Sequence, residues 1–236
     1  MAQFSIKIAD AVGQVESLFD STRDYCRNYL TEEAADFSVA VTREDLAFEQ
    51  AFLLEEARQE GMKPRTFTDP FLERQTIQRR FAEHLLQRDT LLFHGSSVAV
   101  DGFGYLFTAA CGTGKSTHTR LWRQVFGDRA VMVNDDKPFL RIGDASVTMY
   151  GAPWSGKHGL DTNVSVPLKG ICILERGTEN TIRRITPEEA MPMLLQQCFL
   201  PSRQLTQMLA ERVPLWKMSC TKDPQAAQVS FDAMSR

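Results

Sequence analysis

Apolar and polar residues alternate over residues 4–8 (Phe4, Ile6, Ile8), which predicts a short strand with one buried face. Val12, Val15, Phe19, Cys26 and Tyr29 then recur at helical spacing. Phe37 to Val41 reads as a second strand. It leads into Thr42, which with Asp45 forms a reciprocal helix cap. That helix carries Leu46, Phe52, Leu53 and Ala57 and is expected to stop near Gly61. After the polar stretch KPRTFTD, Asp69 and Pro70 open a third helix, Leu72 to Leu86.

The pattern changes near residue 90. TLLFHGSSVAV and GYLFTAA are apolar strands joined by Asp101-Gly102, a hairpin signal. A helix follows with Leu121, Trp122, Val125 and Phe126 on one side, ended by Gly127-Asp128. The strand AVMV runs into Asn134, Asp135 and Asp136 and is expected to lie beside the GYLFTAA strand. A hairpin around Gly143-Asp144 precedes the loop GAPWSGKHG, residues 151–159. Two strands are expected at Val164–Leu168 and Gly170–Leu174, and a third around Ile182–Ile185. Thr186-Pro187 and Ser202 open two helices, a strand covers Leu215–Met218, and Asp223-Pro224 starts a last helix. Alternating strands and helices predict an α/β core with a mixed sheet over residues 89–236 and a smaller α+β region over residues 1–88.

Composition narrows the function. Of 236 residues, 43% are hydrophobic and 24% charged, as in an ordinary globular protein. The net charge of -3, with no basic cluster interleaved with aromatics, argues against nucleic acid as a partner. No secretory leader and no stretch of bilayer-crossing length is visible, so no membrane partner is expected. Cys26, Cys111, Cys172, Cys198 and Cys220 are odd in number and widely spaced. They point to a reducing compartment, with the cytoplasm as the expected location.

The chemistry concentrates in TAACGTGKSTHTRLW, residues 108–122. An apolar strand before it and an amphipathic helix after it are the setting of a phosphate-binding P-loop. In such a loop consecutive backbone N–H groups converge on phosphate oxygens at a helix start. Ala110, Cys111, Gly112, Thr113, Gly114, Lys115, Ser116 and Thr117 are the candidate nucleotide-binding residues. Lys115 suits the β- and γ-phosphates, and the Ser116 hydroxyl suits Mg²⁺. The usual first glycine is replaced by Ala109, whose methyl fits there if φ is negative.

Asp135 and Asp136 follow twenty and twenty-one residues after Lys115. One carboxylate in that place can help hold Mg²⁺ and a second can take a proton from an acceptor hydroxyl, which is kinase chemistry. Which aspartate does which is open. Lys157, in the Gly-rich loop, is a candidate to meet the γ-phosphate or an anionic acceptor, and Trp154 a candidate to stack on a ring. His118 is either within reach of a nucleotide or on the helix surface. Arg203 and His84 carry no local signal.

HGSSVAVDGFGYLFTAACGTGKST followed by NDDKPFL resembles HPr kinase/phosphorylase, and is similar also to the ATP-dependent phosphoenolpyruvate carboxykinases that share its P-loop fold. The resemblance covers roughly residues 90–175. It implies a mixed-sheet P-loop core of that type, ATP and Mg²⁺ as cofactors, and His94 beside the acidic pair, tuning its protonation. It further implies phosphoryl transfer to a hydroxyl acceptor, either a serine of a protein or peptide or a small metabolite, and some homo-oligomerisation. The chain differs from that family at Ala109 and Cys111, and it has no counterpart of the E-x-R-G stretch. A non-catalytic ATP-binding sensor is the alternative; a sensor needs at most one of the two aspartates.

Overall fold

The computed structural model describes residues 2–59 and 63–236, so the expected helix stop at Gly61 lies outside the described residues. The chain forms two compact units, Met1–His84 and Leu85–Arg236. No helix among the described residues is long and apolar enough to cross a membrane.

In the first unit, β1 (Ala2–Ile8) and β2 (Ala11–Ser17) form an antiparallel hairpin. Ala9 and Asp10 turn the chain with φ of 49° and 56°, the mirror-image geometry that matches strand twist. Val12 and Val15 therefore sit in a strand, against the helical expectation. Their spacing of three fits a helix, but pairing with β1 places Phe4 opposite Val15 and Ile6 opposite Gly13. Only α1 (Asp20–Tyr25) and a single 3₁₀ turn to Tyr29 remain helical there.

β3 (Leu30–Thr31) and β4 (Phe37–Ala40) complete a sheet of order β3-β1-β2-β4. α2 (Arg43–Gln59) begins at the expected reciprocal cap. The Thr42 N–H donates to Asp45 Oδ2 at 2.9 Å, and the Asp45 N–H donates to Thr42 Oγ1 at 3.3 Å. α3 (Asp69–Leu86) lays Phe81 against β2, where a Cβ on Gly13 would lie 2.3 Å from Phe81 Cζ. The buried carboxylate of Glu73, also on α3, accepts from the Leu18 N–H and the Thr22 hydroxyl.

The second unit opens with β5 (Thr90–Leu92), β6 (Ser96–Val100) and β7 (Phe103–Thr108). The run TLLFHGSSVAV is thus two strands, broken at Phe93–Gly95. Asp101 (φ 53°) and Gly102 (φ 82°) close the β6–β7 hairpin as its sequence predicts. Then come α4 (Lys115–Phe126), β8 (Ala130–Asn134), β9 (Phe139–Ile142) and β10 (Val147–Tyr150). β11 (Ser165–Arg176) is one long strand where two were expected, and a register shift between Leu168 and Gly170 marks the apparent break. β12 (Thr181–Arg184), α5 (Pro187–Gln197), α6 (Arg203–Arg212), β13 (Leu215–Cys220) and α7 (Gln225–Met234) complete the chain.

The nine strands run in the order β5-β9-β10-β11-β7-β6-β8, with β13 beside β11 and β12 beside β13. β8 pairs with β6, not with β7, so the acidic strand lies one place further from the loop strand than expected. The hairpin explains this: it gives one side of β7 to β6, and parallel β11 takes the other. Neighbouring residues face opposite sides of this sheet. Leu106, Ile171 and Ile173 pack with Leu194 of α5 and Leu209 of α6, while Phe107 and Cys172 pack with Trp122 of α4 and Met234 of α7.

β6 is antiparallel to both β7 and β8, so β7 and β8 point the same way, as does β11. The carboxyl ends of β7, β8 and β11 therefore meet at one edge, together with the start of β6. Open α/β sheets characteristically bind ligands outside the carboxyl ends of their strands.

Candidate active site

The loop from Ala109 to Gly114 leaves β7 at this edge and enters α4. Ala109 is fully buried in the core shared with Phe107 and Trp122, and its φ is not positive, so the methyl is accommodated where the pattern has glycine. The two glycines that remain are the ones the backbone needs. Gly112 has φ of 73° and Gly114 of 123°, and a Cβ on Gly112 would touch nothing. Conformation rather than crowding selects glycine there. Cys111 is an exposed free thiol.

The N-terminus of α4 has no side-chain cap, whereas Thr186 and Ser202 cap α5 and α6 through the N–H groups of Glu189 and Leu205. Its first-turn amides carry the positive end of the helix dipole. Ser116 Oγ has no hydrogen-bond partner among the described residues. Lys115 Nζ donates to the Ala109 carbonyl at 3.1 Å, which holds the ammonium across the loop.

Asn134, the last residue of β8, organises the acidic pair. Its side-chain oxygen accepts from the N–H groups of Asp136 at 2.8 Å and Lys137 at 2.7 Å. Its Nδ2 donates to the Ala152 carbonyl at 2.8 Å, tying the acidic turn to the loop after β10. The two aspartates then diverge. Asp135 is 8% exposed and accepts from Ser96 Oγ at 2.6 Å; Ser96 Oγ lies 2.6 Å from Thr119 Oγ1 on α4. Asp135 is thereby linked through two hydroxyls to the helix that starts at Lys115.

Asp136 faces His94, with His94 Nε2 3.5 Å from Asp136 Oδ1. Burial raises the Asp136 carboxyl above its ordinary value, while the Lys137 and Lys115 ammonium groups pull it down. His94 is held down to about 3, first by burial and then by the same two lysines. The imidazole backbone is fixed as well: the His94 N–H donates to the Gln197 carbonyl at 2.8 Å and Thr108 Oγ1 donates to the His94 carbonyl at 3.0 Å. Gly156, with φ of 70°, closes against Asp136; a Cβ there would lie 3.1 Å from Asp136 Cβ.

One sheet edge thus gathers His94, the loop residues Ala110 to Thr117, Asp135 and Asp136. Lys157 sits on the 3₁₀ turn Gly156–His158, next to the glycine that touches Asp136, with its side chain exposed. Trp154 is buried edge-on to Phe139 and offers no face for stacking. His118 does not lie on the helix surface. It is 2% exposed, its Nε2 lies 3.0 Å from Ser230 Oγ of α7, and Trp122 Nε1 donates to it at 3.2 Å. Burial lowers His118 to about 4. The helix periodicity places it on the same side as Leu121 and Trp122, a signal that pointed inward. Arg203 is exposed at the start of α6, and His84 stacks on Phe37 in the first unit.

Four residues were not singled out by the sequence: Asn134, Ser96, Lys137 and Arg176. Ser96 acts through hydrogen bonds to residues distant in sequence, and Asn134 joins its own turn to the loop after β10. Arg176 Nη2 donates to the Gly112 carbonyl at 2.5 Å and Nε to the Thr113 carbonyl at 3.4 Å. A cavity of about 300 Å³ lies elsewhere, among residues such as Arg184, Arg212 and Leu215, and none of the candidate site residues lines it.

Among the described residues no group of three His, Cys, Asp or Glu side chains converges as a metal cage. Mg²⁺ does not require one, since it is usually held by one or two carboxylates, water and substrate phosphates. Ser116 Oγ and the Asp135 carboxylate are hard oxygen donors of that kind.

No protein-family model matches the chain, and no curated protein matches it. Among solved structures it is similar to the Hpr(Ser) kinase/phosphatase from Coxiella burnetii, at 12% identity and a TM-score of 0.39, over 60% of this chain and 95% of that one.

Proposed function

We propose that the chain is an ATP- and Mg²⁺-dependent kinase that transfers the γ-phosphate to a hydroxyl, on a serine of a protein or peptide or on a small metabolite. The observation that carries this reading is topological: the glycine loop that enters the uncapped α4 and the acidic turn after β8 leave strands of the same direction at one sheet edge. The Lys115 ammonium, rooted in a glycine loop at a helix start, bears on both Asp136 and His94. A phosphate-binding group and a candidate base thereby share one edge.

In this reading Lys115 and the uncapped amides of α4 hold the phosphates. Ser116 and Asp135 would hold Mg²⁺, which would offset the negative charge of the phosphate oxygens. Asp136 accepts the proton of the acceptor hydroxyl as its oxygen forms a bond to the γ-phosphorus and the bond to ADP breaks. The division between the aspartates is supported by their surroundings. Asp135 is linked to α4 through Ser96 and Thr119, whereas Asp136 faces His94 and its carboxyl is raised by burial. A general base works best when its proton affinity lies near the working pH. A non-catalytic sensor has no use for a second carboxylate set beside a neutral imidazole.

The test is transfer itself. γ-labelled ATP and Mg²⁺ are supplied with desalted extract of the cells that make the protein, with its small molecules added back. Label on a protein band or a metabolite, dependent on the wild-type chain, supports the kinase and identifies its acceptor class. ATP binding without any labelled acceptor contradicts it.

A further inference from the structure

Arg176 stands at the carboxyl end of β11, outside every motif visible in the sequence, and reaches the glycine loop from the β11 side. Its two donors take two successive carbonyls, Gly112 at 2.5 Å and Thr113 at 3.4 Å. The root of the side chain is firmly placed. The next residue, Gly177, donates its N–H to the Cys220 carbonyl at 3.1 Å, and a Cβ on it would lie 1.8 Å from Ser219 Oγ. The end of β11 is therefore pressed against β13, and Arg176 projects from a fixed point.

All peptide bonds of the described chain are trans. In a trans peptide the carbonyl and the following N–H point to opposite sides. Holding the Thr113 carbonyl toward the guanidinium turns the Gly114 N–H away from it. Gly114 N–H has no acceptor among the described residues, and the φ of 123° at Gly114 is one that only glycine takes readily. A carbonyl turned the other way would instead present its lone pairs where an anion is to bind. A planar fork with parallel donors suits two successive carbonyls better than a single ammonium does.

We propose that Arg176 is a positioning residue that draws the Gly112 and Thr113 carbonyls to one side so that the Gly114 amide is presented to a nucleotide phosphate. The inference rests on the nucleotide-binding reading of the site. It concerns phosphate, not the base or sugar of the nucleotide.

The test is calorimetric titration of ATP and of adenosine into the wild type, Arg176→Gln and Arg176→Lys, with thermal melting of each. Arg176→Gln is expected to weaken ATP by about tenfold, as loss of a charged hydrogen bond does, while adenosine affinity and the melting temperature stay as in the wild type. Arg176→Lys is expected to recover part of the loss, because one ammonium can hold one carbonyl. Arg176→Gln binding ATP as tightly as the wild type overturns the inference, as does an equal loss of ATP and adenosine. A wild type that binds no ATP overturns the nucleotide reading and this inference with it, so the wild-type arm separates the two failures.

Discussion

His94 Nε2 lies 3.5 Å from Asp136 Oδ1 where β6 begins and β8 has just ended. The imidazole is neutral at physiological pH, since burial, Lys115 and Lys137 hold it to about 3. It is a neutral dipole beside a carboxylate rather than half of an ion pair. Burial raises that carboxylate and the two lysines oppose the rise.

The sign of the lysine effect gives the first prediction. Removing one ammonium by Lys137→Met leaves burial less opposed, so Asp136 rises further. A base must be deprotonated to act, so the acid limb of the kcat/KM profile moves to higher pH. A pH–rate profile of wild type and variant checks this, and an unmoved limb would detach Asp136 from the proton transfer.

Ala109→Gly restores the usual glycine of the loop pattern, and it is expected to help nothing. The Ala109 methyl is fully buried and its φ is not positive. The substitution loses one buried methyl and frees the unfolded chain, together about 1–2 kcal/mol of stability. Urea denaturation with ATP titration tests it; tighter ATP binding by the variant would mean that the methyl obstructs the phosphates.

Local signals were legible in the sequence wherever their physics is local. The Thr42–Asp45 cap, the Asp101-Gly102 turn and the helix starts at Thr186 and Ser202 each depend on residues a few positions apart. What failed was competition between neighbours for pairing. Val12 and Val15 fit a helix until β1 takes them, and β8 fits beside β7 until the hairpin places β6 there. In the candidate site, the glycine loop and acidic pair stand out because their residue types and spacing form a pattern readable from neighbouring positions. Ser96 and Arg176 do not, since nothing in a lone serine or arginine reveals that its partner is dozens of residues away.

Ser96→Ala separates the two aspartates experimentally. The Ser96 hydroxyl is fully buried between Asp135 and Thr119. Its loss leaves a buried carboxylate short of a donor and is expected to destabilise the protein by about 1–3 kcal/mol. If Asp135 holds Mg²⁺, the variant also needs more Mg²⁺ for half-maximal transfer, and a chelator silences wild type and variant alike. An unchanged Mg²⁺ requirement would remove Asp135 from the metal.

His118 makes stability depend on pH. Unfolded, it takes up a proton as pH falls below about 6.5; folded, it resists until about 4. Its folded value is depressed, so the associated stability is present above about 6.5 and is lost as pH falls through that window, by at most about 1.4 kcal/mol per pH unit. His118→Gln is expected to flatten, without abolishing, the fall in denaturation midpoint between pH 7 and pH 5, because His94 contributes with the same sign. Equal slopes in wild type and variant would show that His118 charges in the fold.

The most direct test sets binding against transfer in Asp136→Asn. The amide keeps the shape of the carboxyl but cannot take the acceptor's proton, so ATP affinity is expected to stay near that of the wild type while transfer falls by about 10²–10⁴. If Asp136→Asn transfers phosphate as fast as the wild type, or if the wild type binds ATP and transfers it to nothing, the edge formed by His94, Lys115 and Asp136 is not a kinase active site.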